Sequence, residues 1–512
     1  IGLNAGMDLS SGAGNIILGY NAGDAMTGTS YTVLIGQLAG GAINSTDANG
    51  TVAVGYGALT ALTDGQQNVA MGYNAGNEIT TGDKNTVVGY EAGSELKDDL
   101  NNTFLGSYAG YMVESDENTF IGVEAGEGSS GNTTGGQNTA VGYRSMESYT
   151  TANKNVAVGD AALQLNTTGN QNVSIGMRAS QYNTVGSNQV VIGNEAGRYA
   201  TGSLNVFVGA NAGKGGTTSA PYSSGTNNVA VGYNALTAFT TGYDNVAVGK
   251  GAGDSVTTGI NNVIIGSRAG EAMSATNNCV IIGRAAGLSI NSTDANHSTL
   301  VGSSAGQSLT DGQNNTALGF YSMYTNSTSD QNVAIGHKAL EDHNVTGTGA
   351  NTMVGYEAGK DITTGQYNTG LGSAVVFDAD ANNQTAIGRG ATTDSANDIA
   401  IGNTSVDEIK GQVDFSTFSD RRIKKNIKDN DLGLDFVNDL RPRKFNKVNP
   451  AEYPDEIRKA NDGNHGEWTD SQANKVWDGL IAQEVKEAVD KHKSSFSGWN
   501  VEKNSKENIT YS

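Results

Sequence analysis

Apolar residues in the first 402 positions recur in a fixed order with a long period, not at the three-to-four spacing of a helix. The order is Asn, a β-branched residue, a small one, an aliphatic one, Gly, two variable residues, Ala and Gly. Asn68-Val69-Ala70-Met71-Gly72-Tyr73-Asn74-Ala75-Gly76 and Asn85-Thr86-Val87-Val88-Gly89-Tyr90-Glu91-Ala92-Gly93 are clear copies. Others begin at Asn15, Asn118, Asn155, Asn205, Asn245, Asn262, Asn332 and Asn351. The commonest step is 17 residues, and 23 starts fall between Asn15 and Asp398.

Each slot has a physical role. The run from the β-branched residue to Gly predicts a short strand. Its fourth slot, nearly always Val, Ile, Leu or Met, is expected to face a core, and the third slot lies on the opposite side of the pleat. A strand that is apolar on both faces is expected to be covered on both. The Gly bends the chain, the Ala-Gly pair turns it again, and a polar tract such as Thr80-Thr81-Gly82-Asp83-Lys84 returns it. The recurrent Asn is expected to bond the backbone at the corner and form a ladder with the Asn of neighbouring coils. One such coil cannot bury a core, so copies must stack. At ~4.8 Å per coil, 23 coils reach roughly 110 Å. The second apolar face needs a further cover, which copies of the same chain would supply as a trimer.

Asn155-Val156-Ala157-Val158-Gly159 and Asn332-Val333-Ala334-Ile335-Gly336 resemble the head repeats of trimeric autotransporter adhesins. That resemblance implies a left-handed β-roll that trimerises. One block is also duplicated: Ile43-Asn44-Ser45-Thr46-Asp47-Ala48-Asn49 recurs as Ile290-Asn291-Ser292-Thr293-Asp294-Ala295-Asn296, 247 residues later. Copying several coils at once suits a rod of adjustable length.

Composition sharpens this picture. The chain has 71 Gly and only 16% charged residues, too little charge for a disordered polymer. From Ser419 to Ser512 there are 17 Lys+Arg and 17 Asp+Glu, which leaves 14 basic and 35 acidic residues before Ser419. All three Trp and three of the four Pro also lie after Ser419, so two differently built regions meet near residue 410. The acidic stretch argues against nucleic acid as a partner. No apolar run approaches the ~20 residues that span a bilayer, so membrane insertion is not expected. Cys279, the single cysteine, is read as a buried small residue in a slot that Val or Thr fills elsewhere. The sequence opens in mid-repeat at Ile1 and is read as a piece of a longer polypeptide. No metal or cofactor is expected: Asp378-Ala379-Asp380-Ala381-Asn382 lacks the Gly and closing Glu of a calcium loop, and the five His lack zinc-ligand spacing.

After Gly402 the repeat stops. A linker over 403–418 contains the strand-like runs Ser405-Val406 and Gln412-Val413-Asp414-Phe415. Ser419-Asp420-Arg421-Arg422-Ile423-Lys424-Lys425-Asn426-Ile427 follows. A helix ended by Pro is predicted over Leu434 to Pro442, a strand at Phe445, and a turn into a helix from Gly479-Leu480-Ile481-Ala482-Gln483-Glu484-Val485 through about Lys491.

The Ser-Asp-Arg-Arg and Gly-Leu-Ile-Ala-Gln-Glu-Val runs, in this order, resemble the intramolecular chaperone domain of phage tail fibres and tailspikes, peptidase family S74. The resemblance implies a domain that trimerises, drives folding of a β-structured stalk, then cuts itself off. Carried over, it makes Ser419 the nucleophile, Lys424 its base and Phe418–Ser419 the scissile bond. The expected fold class is an all-β stacked-coil β-roll or β-helix-like trimeric shaft over 1–402 with an α+β chaperone domain over 419–512. The expected role is structural and adhesive: a homotrimeric fibre in the phage virion, made in the host cytoplasm, that touches other tail proteins and a host-surface receptor, read as a glycan. A tailspike depolymerase and a bacterial trimeric adhesin are the alternatives.

Overall fold

The computed structural model describes residues 1–129, 133–292, 294–406, 409, 433–446, 448, 476–492, 501–503 and 509–511. It divides into two units, Ile1–Ile401 and Gly402–Ser512.

The first unit is a β-solenoid. Its 23 three-residue strands form one sheet, each pairing in parallel with the next along the chain. Each of the 23 starts read from the sequence precedes one of these strands. The register is strict: Val69 pairs with Thr86, Ala70 with Val87 and Met71 with Val88. Successive strands begin 14 residues apart at Thr385 and Ile399 but 23 apart at Val206 and Val229. Register survives because extra residues go into the return segment. One long return holds a single 3-10 turn, Thr46–Ala48, where the Asp47 amide donates to Ser45 Oγ at 3.1 Å. The duplicated block repeats that bond from Asp294 to Ser292, again at 3.1 Å.

The interior of each coil corrects the expectation about the fourth slot. Within one chain the core is built on the third slot, the Ala after the bend, and an apolar residue further on. In one coil these are Ala70, Ala75 and Ile79, all fully buried. The fourth slot points outward, and Met71 beside them is 44% exposed. A coil of this length has two legs so close together that Ala fits best between them. Where two large third-slot residues are neighbours they stack, as Phe104 and Phe120 do with ring centres 5.0 Å apart, whereas Phe207 and Met353 pair with Ala230 and Gly370.

The bend glycines are obligatory. Gly72 has φ +146, and a Cβ there would lie 2.1 Å from the Gly89 carbonyl oxygen. The expected Asn ladder is present and, beyond the half-buried Asn15, is buried. The Asn85 amide donates to Asn68 Oδ1 at 2.9 Å, while Asn68 Nδ2 donates to the Gly82 carbonyl at 2.7 Å. One side chain thus satisfies a strand amide on the next coil and a turn carbonyl, both shut off from water. Cys279 is buried as expected, but it occupies the Asn slot rather than a Val slot: its amide donates to Asn262 Oδ1 at 3.0 Å. Burial raises the pKa of its thiol.

Two linker expectations fare differently. Ser405-Val406 is a turn, not a strand, with the Ser405 amide donating to Asn403 Oδ1 at 2.9 Å. Once Asn403 closes this turn, the Ser405 amide is unavailable to a strand partner. The run from Gln412 to Phe415 lies outside the described residues.

Candidate functional site

In the second unit, helix α1 spans Leu434–Asp439 and helix α2 spans Ala482–His492. Between them, strand Arg443–Asn446 pairs antiparallel with Val476–Gly479, with Arg443 opposite Gly479. A second antiparallel pair joins Val501–Lys503 to Ile509–Tyr511. The predicted helix, strand and turn-to-helix run therefore all form, though α1 stops at Asp439. Leu440 already turns to extended backbone, and Pro442 lacks an amide and disfavours helical backbone at Arg441.

The helices pack through Phe436, Val485, Ala488 and Val489, with Leu440 beside them. The Gly-Leu-Ile-Ala-Gln-Glu-Val run divides its labour across this small core. Gly479 ends the strand, Val485 enters the core, and Glu484 takes Arg443 in a two-pronged grip at 2.9 and 2.6 Å. That grip holds the Glu484 carboxyl below its ordinary pKa, chiefly through the Arg443 hydrogen bond. At the far end of α2, Lys491 Nζ donates to both Asp439 oxygens at 2.8 Å, and His492 Nε2 lies 2.6 Å from Asp439 Oδ2. Lys491 and then His492 lower the Asp439 pKa. Lys491 sits where the helix's last carbonyls concentrate partial negative charge. The Arg443–Glu484 and Lys491–Asp439 pairs are exposed, so they orient the strand and helices rather than supply much stability. Sequence reasoning missed Arg443 and Asp439 because their partners are 41 and 52 residues away. Ser419, Lys424 and Phe418 lie outside the described residues.

A second candidate site runs along the first unit. All 23 strands carry Val, Ile, Leu or Met in the outward fourth slot, and none of these side chains is buried. The second slot, also outward, is always Val, Ile or Thr. Coil after coil, the sheet shows water two columns of β-branched and aliphatic groups. Leu318 at 46% and Leu371 at 52% mark its exposure. A contiguous apolar surface of this length is a surface made to be covered. Among the described residues, no helix is long and apolar enough to cross a membrane.

One acidic cluster also lies on the stack. Glu124, Glu127 and Glu147 bring carboxylate oxygens within 4.8 Å of one another. Arg144 donates to Glu124 at 2.5 Å and lies 3.7 Å from Glu147, while Gln164 donates to Glu147. Burial, then the neighbouring carboxylates, raises the Glu127 pKa.

Comparison with known proteins places the C-terminal region in context. Residues 419–493 match the family model described as the chaperone of endosialidase, Peptidase_S74. No curated protein matches the chain. The chain thus carries a region that matches this family model together with a long β-solenoid.

Proposed function

We propose that this protein is a trimeric phage tail fibre whose solenoid forms the shaft and whose C-terminal unit assembles three chains before cutting itself away. The observation that carries the reading is the outward column of 23 aliphatic residues, which one chain leaves open to water. Three copies turned inward would close that surface and supply the cover that the apolar pattern calls for. The match of 419–493 to a chaperone family supports the same assembly. In this reading the fibre sits on the virion beside other tail proteins and reaches a host-surface glycan.

The self-cleavage step uses Ser419 and Lys424. Lys424, neutral when desolvated, takes the Ser419 hydroxyl proton as Oγ attacks the Phe418 carbonyl carbon. The Phe418–Ser419 C–N bond breaks, an ester to Oγ forms, and the nitrogen takes up a proton. Water then hydrolyses the ester, leaving a carboxylate on Phe418 and a new amino terminus on Ser419. Attack on the adjacent carbonyl needs no substrate pocket, so assembly can trigger the cut by fixing geometry.

The test is light scattering together with denaturing electrophoresis of wild type, Ser419→Ala and Lys424→Ala. The reading expects a mass of three chains and a C-terminal fragment of about 94 residues in wild type only. A monomeric mass would overturn the shaft, and a fragment that persists in both variants would overturn the Ser/Lys assignment.

A further inference from the structure

The ion pairs along the solenoid are mostly one cation to one carboxylate, as at Lys97–Glu114, Arg268–Glu271 and Lys360–Glu357. Glu195 departs from this. Arg178, Arg198 and Lys214 all converge on it, at 3.4, 2.8 and 2.6 Å. Three of the 14 basic residues that precede Ser419 therefore meet at one carboxylate. The local excess is two positive charges, in a region that is otherwise strongly acidic. Holding like charges together costs energy that a purely structural contact would avoid by supplying more acid.

Aromatic rings lie beside one of these cations, Arg198. Tyr182 and Tyr199 stack at 5.1 Å, and Tyr222 closes on Tyr182 at 5.0 Å. The Arg198 guanidinium lies 5.0 Å from the centre of the Tyr199 ring. Tyr222 comes from the longest return of the stack, whose tip from Thr218 to Pro221 is exposed. That return is fastened by the Ser223 amide donating to the Tyr199 carbonyl at 3.0 Å. Arg178 and Glu195 stand just before the turn Ala of their coils and Arg198, Tyr199 and Lys214 just after it, so the cluster does not use the outward strand columns.

Cations aligned with aromatic surface suit one ligand chemistry: a sugar ring whose C–H face packs on tyrosine while its carboxylate meets Arg or Lys. We propose that Arg178, Lys214, Tyr199 and Tyr222 form a binding site for an acidic, uronate-bearing glycan. The inference rests on the attachment reading above and adds the chemical class of the receptor and its place on the shaft.

The test uses the full chain and four probes: galacturonate and glucuronate hexamers, a glucose hexamer, and a single-stranded oligonucleotide of matched charge. Calorimetric titration should show binding of at least one uronate hexamer, weakened by added salt, with no binding of the glucose hexamer. Arg178→Gln/Lys214→Gln and Tyr222→Ala should each weaken it about tenfold or more, while Lys214→Arg retains it. Thermal melts of each variant check that the coil still folds. No uronate binding, binding unchanged in the variants, equal binding of the glucose hexamer, or tighter binding of the oligonucleotide would each overturn the site. Host-cell attachment by the same variants separates this claim from the previous one. Attachment that survives without uronate binding removes this site alone, and absence of attachment by the parent chain removes the fibre reading.

Discussion

The Asn172 amide donates to Asn155 Oδ1 at 2.9 Å, and Asn155 Nδ2 reaches on to the Gly169 carbonyl at 2.9 Å. One buried side chain thereby pins a strand to the turn of the next coil. Asn155→Ala leaves the Asn172 amide without a partner, away from water, while the Gly169 carbonyl keeps its bond from Asn166 Nδ2 at 2.8 Å. The expected cost is about 1–3 kcal/mol. It is read most directly as lost hydrogen-exchange protection at the Asn172 amide, because a solenoid opens locally. Asn155→Thr should lose less, since Thr51 fills the same slot and its hydroxyl donates to the Ala48 carbonyl at 2.8 Å.

Gly72→Ala tests the bend column. The new methyl would meet the Gly89 carbonyl at 2.1 Å, and the backbone at φ +146 disfavours any side chain. Backbone, not a pliable side chain, is what it meets. A loss of about 3 kcal/mol or more is expected in denaturant titration. An unchanged midpoint would show that the stack yields more easily than this geometry allows.

His343 gives the stack a pH dependence. It is fully buried, its Nε2 lies 3.1 Å from the Gly365 carbonyl, and burial pushes its pKa down to about 4. Unfolded, an imidazole titrates near ~6.5. Between these values the unfolded chain binds more protons, so stability falls as pH drops from about 6.5 to about 4 and then levels. The contribution is at most about 3 kcal/mol. His343→Asn should remove this slope from the difference between variant and wild-type melts. Asn is the fitting replacement because Asn166 and Asn183 occupy the equivalent slot and bond Gly169 and Gly186.

Neighbouring isoleucines separate folding from assembly. Ile264 is buried inside its coil, whereas Ile265 faces out. Ile264→Asp should destroy the local coil, seen as lost β-sheet circular dichroism. Val248→Asp/Ile265→Asp/Ile282→Asp should keep that signal yet give a monomer by light scattering. A trimer carrying all three changes would place the chain contact elsewhere.

Phe436 tests the second unit. It is 3% exposed and packs with Val485, Ala488 and Val489. Phe436→Ala should cost about 3 kcal/mol and reduce the yield of trimer more than the stability of preformed trimer, measured by refolding and by melting respectively.

How much of this was readable beforehand differed from slot to slot. The stacked coils, their number and the Asn ladder were legible because Asn, Gly and β-branched residues each serve one backbone requirement and recur together. The inward side was not, because Ala70 and Met71 are both apolar and hydrophobicity alone ranks the larger one as core. What decides is the width of the coil, which no single repeat reveals. Cys279 was placed one slot off for a related reason: without Asn, the strand's start lost its marker. In the C-terminal unit the elements followed from their apolar runs and Pro442. The Arg443–Glu484 grip did not, since it depends on a chain reversal with no local signature. Ser419 and Lys424 were named by resemblance to a family.

The coil-to-coil bonds lie parallel to the direction in which strands stack, as from the Gly89 amide to the Met71 carbonyl at 2.9 Å. Tension on one end therefore loads the bonds of a single coil at a time, like a zip, instead of shearing many together. A pulled chain would yield in small, repeated releases of one turn each. Under flow, such a stalk would absorb a tug by paying out length rather than by snapping.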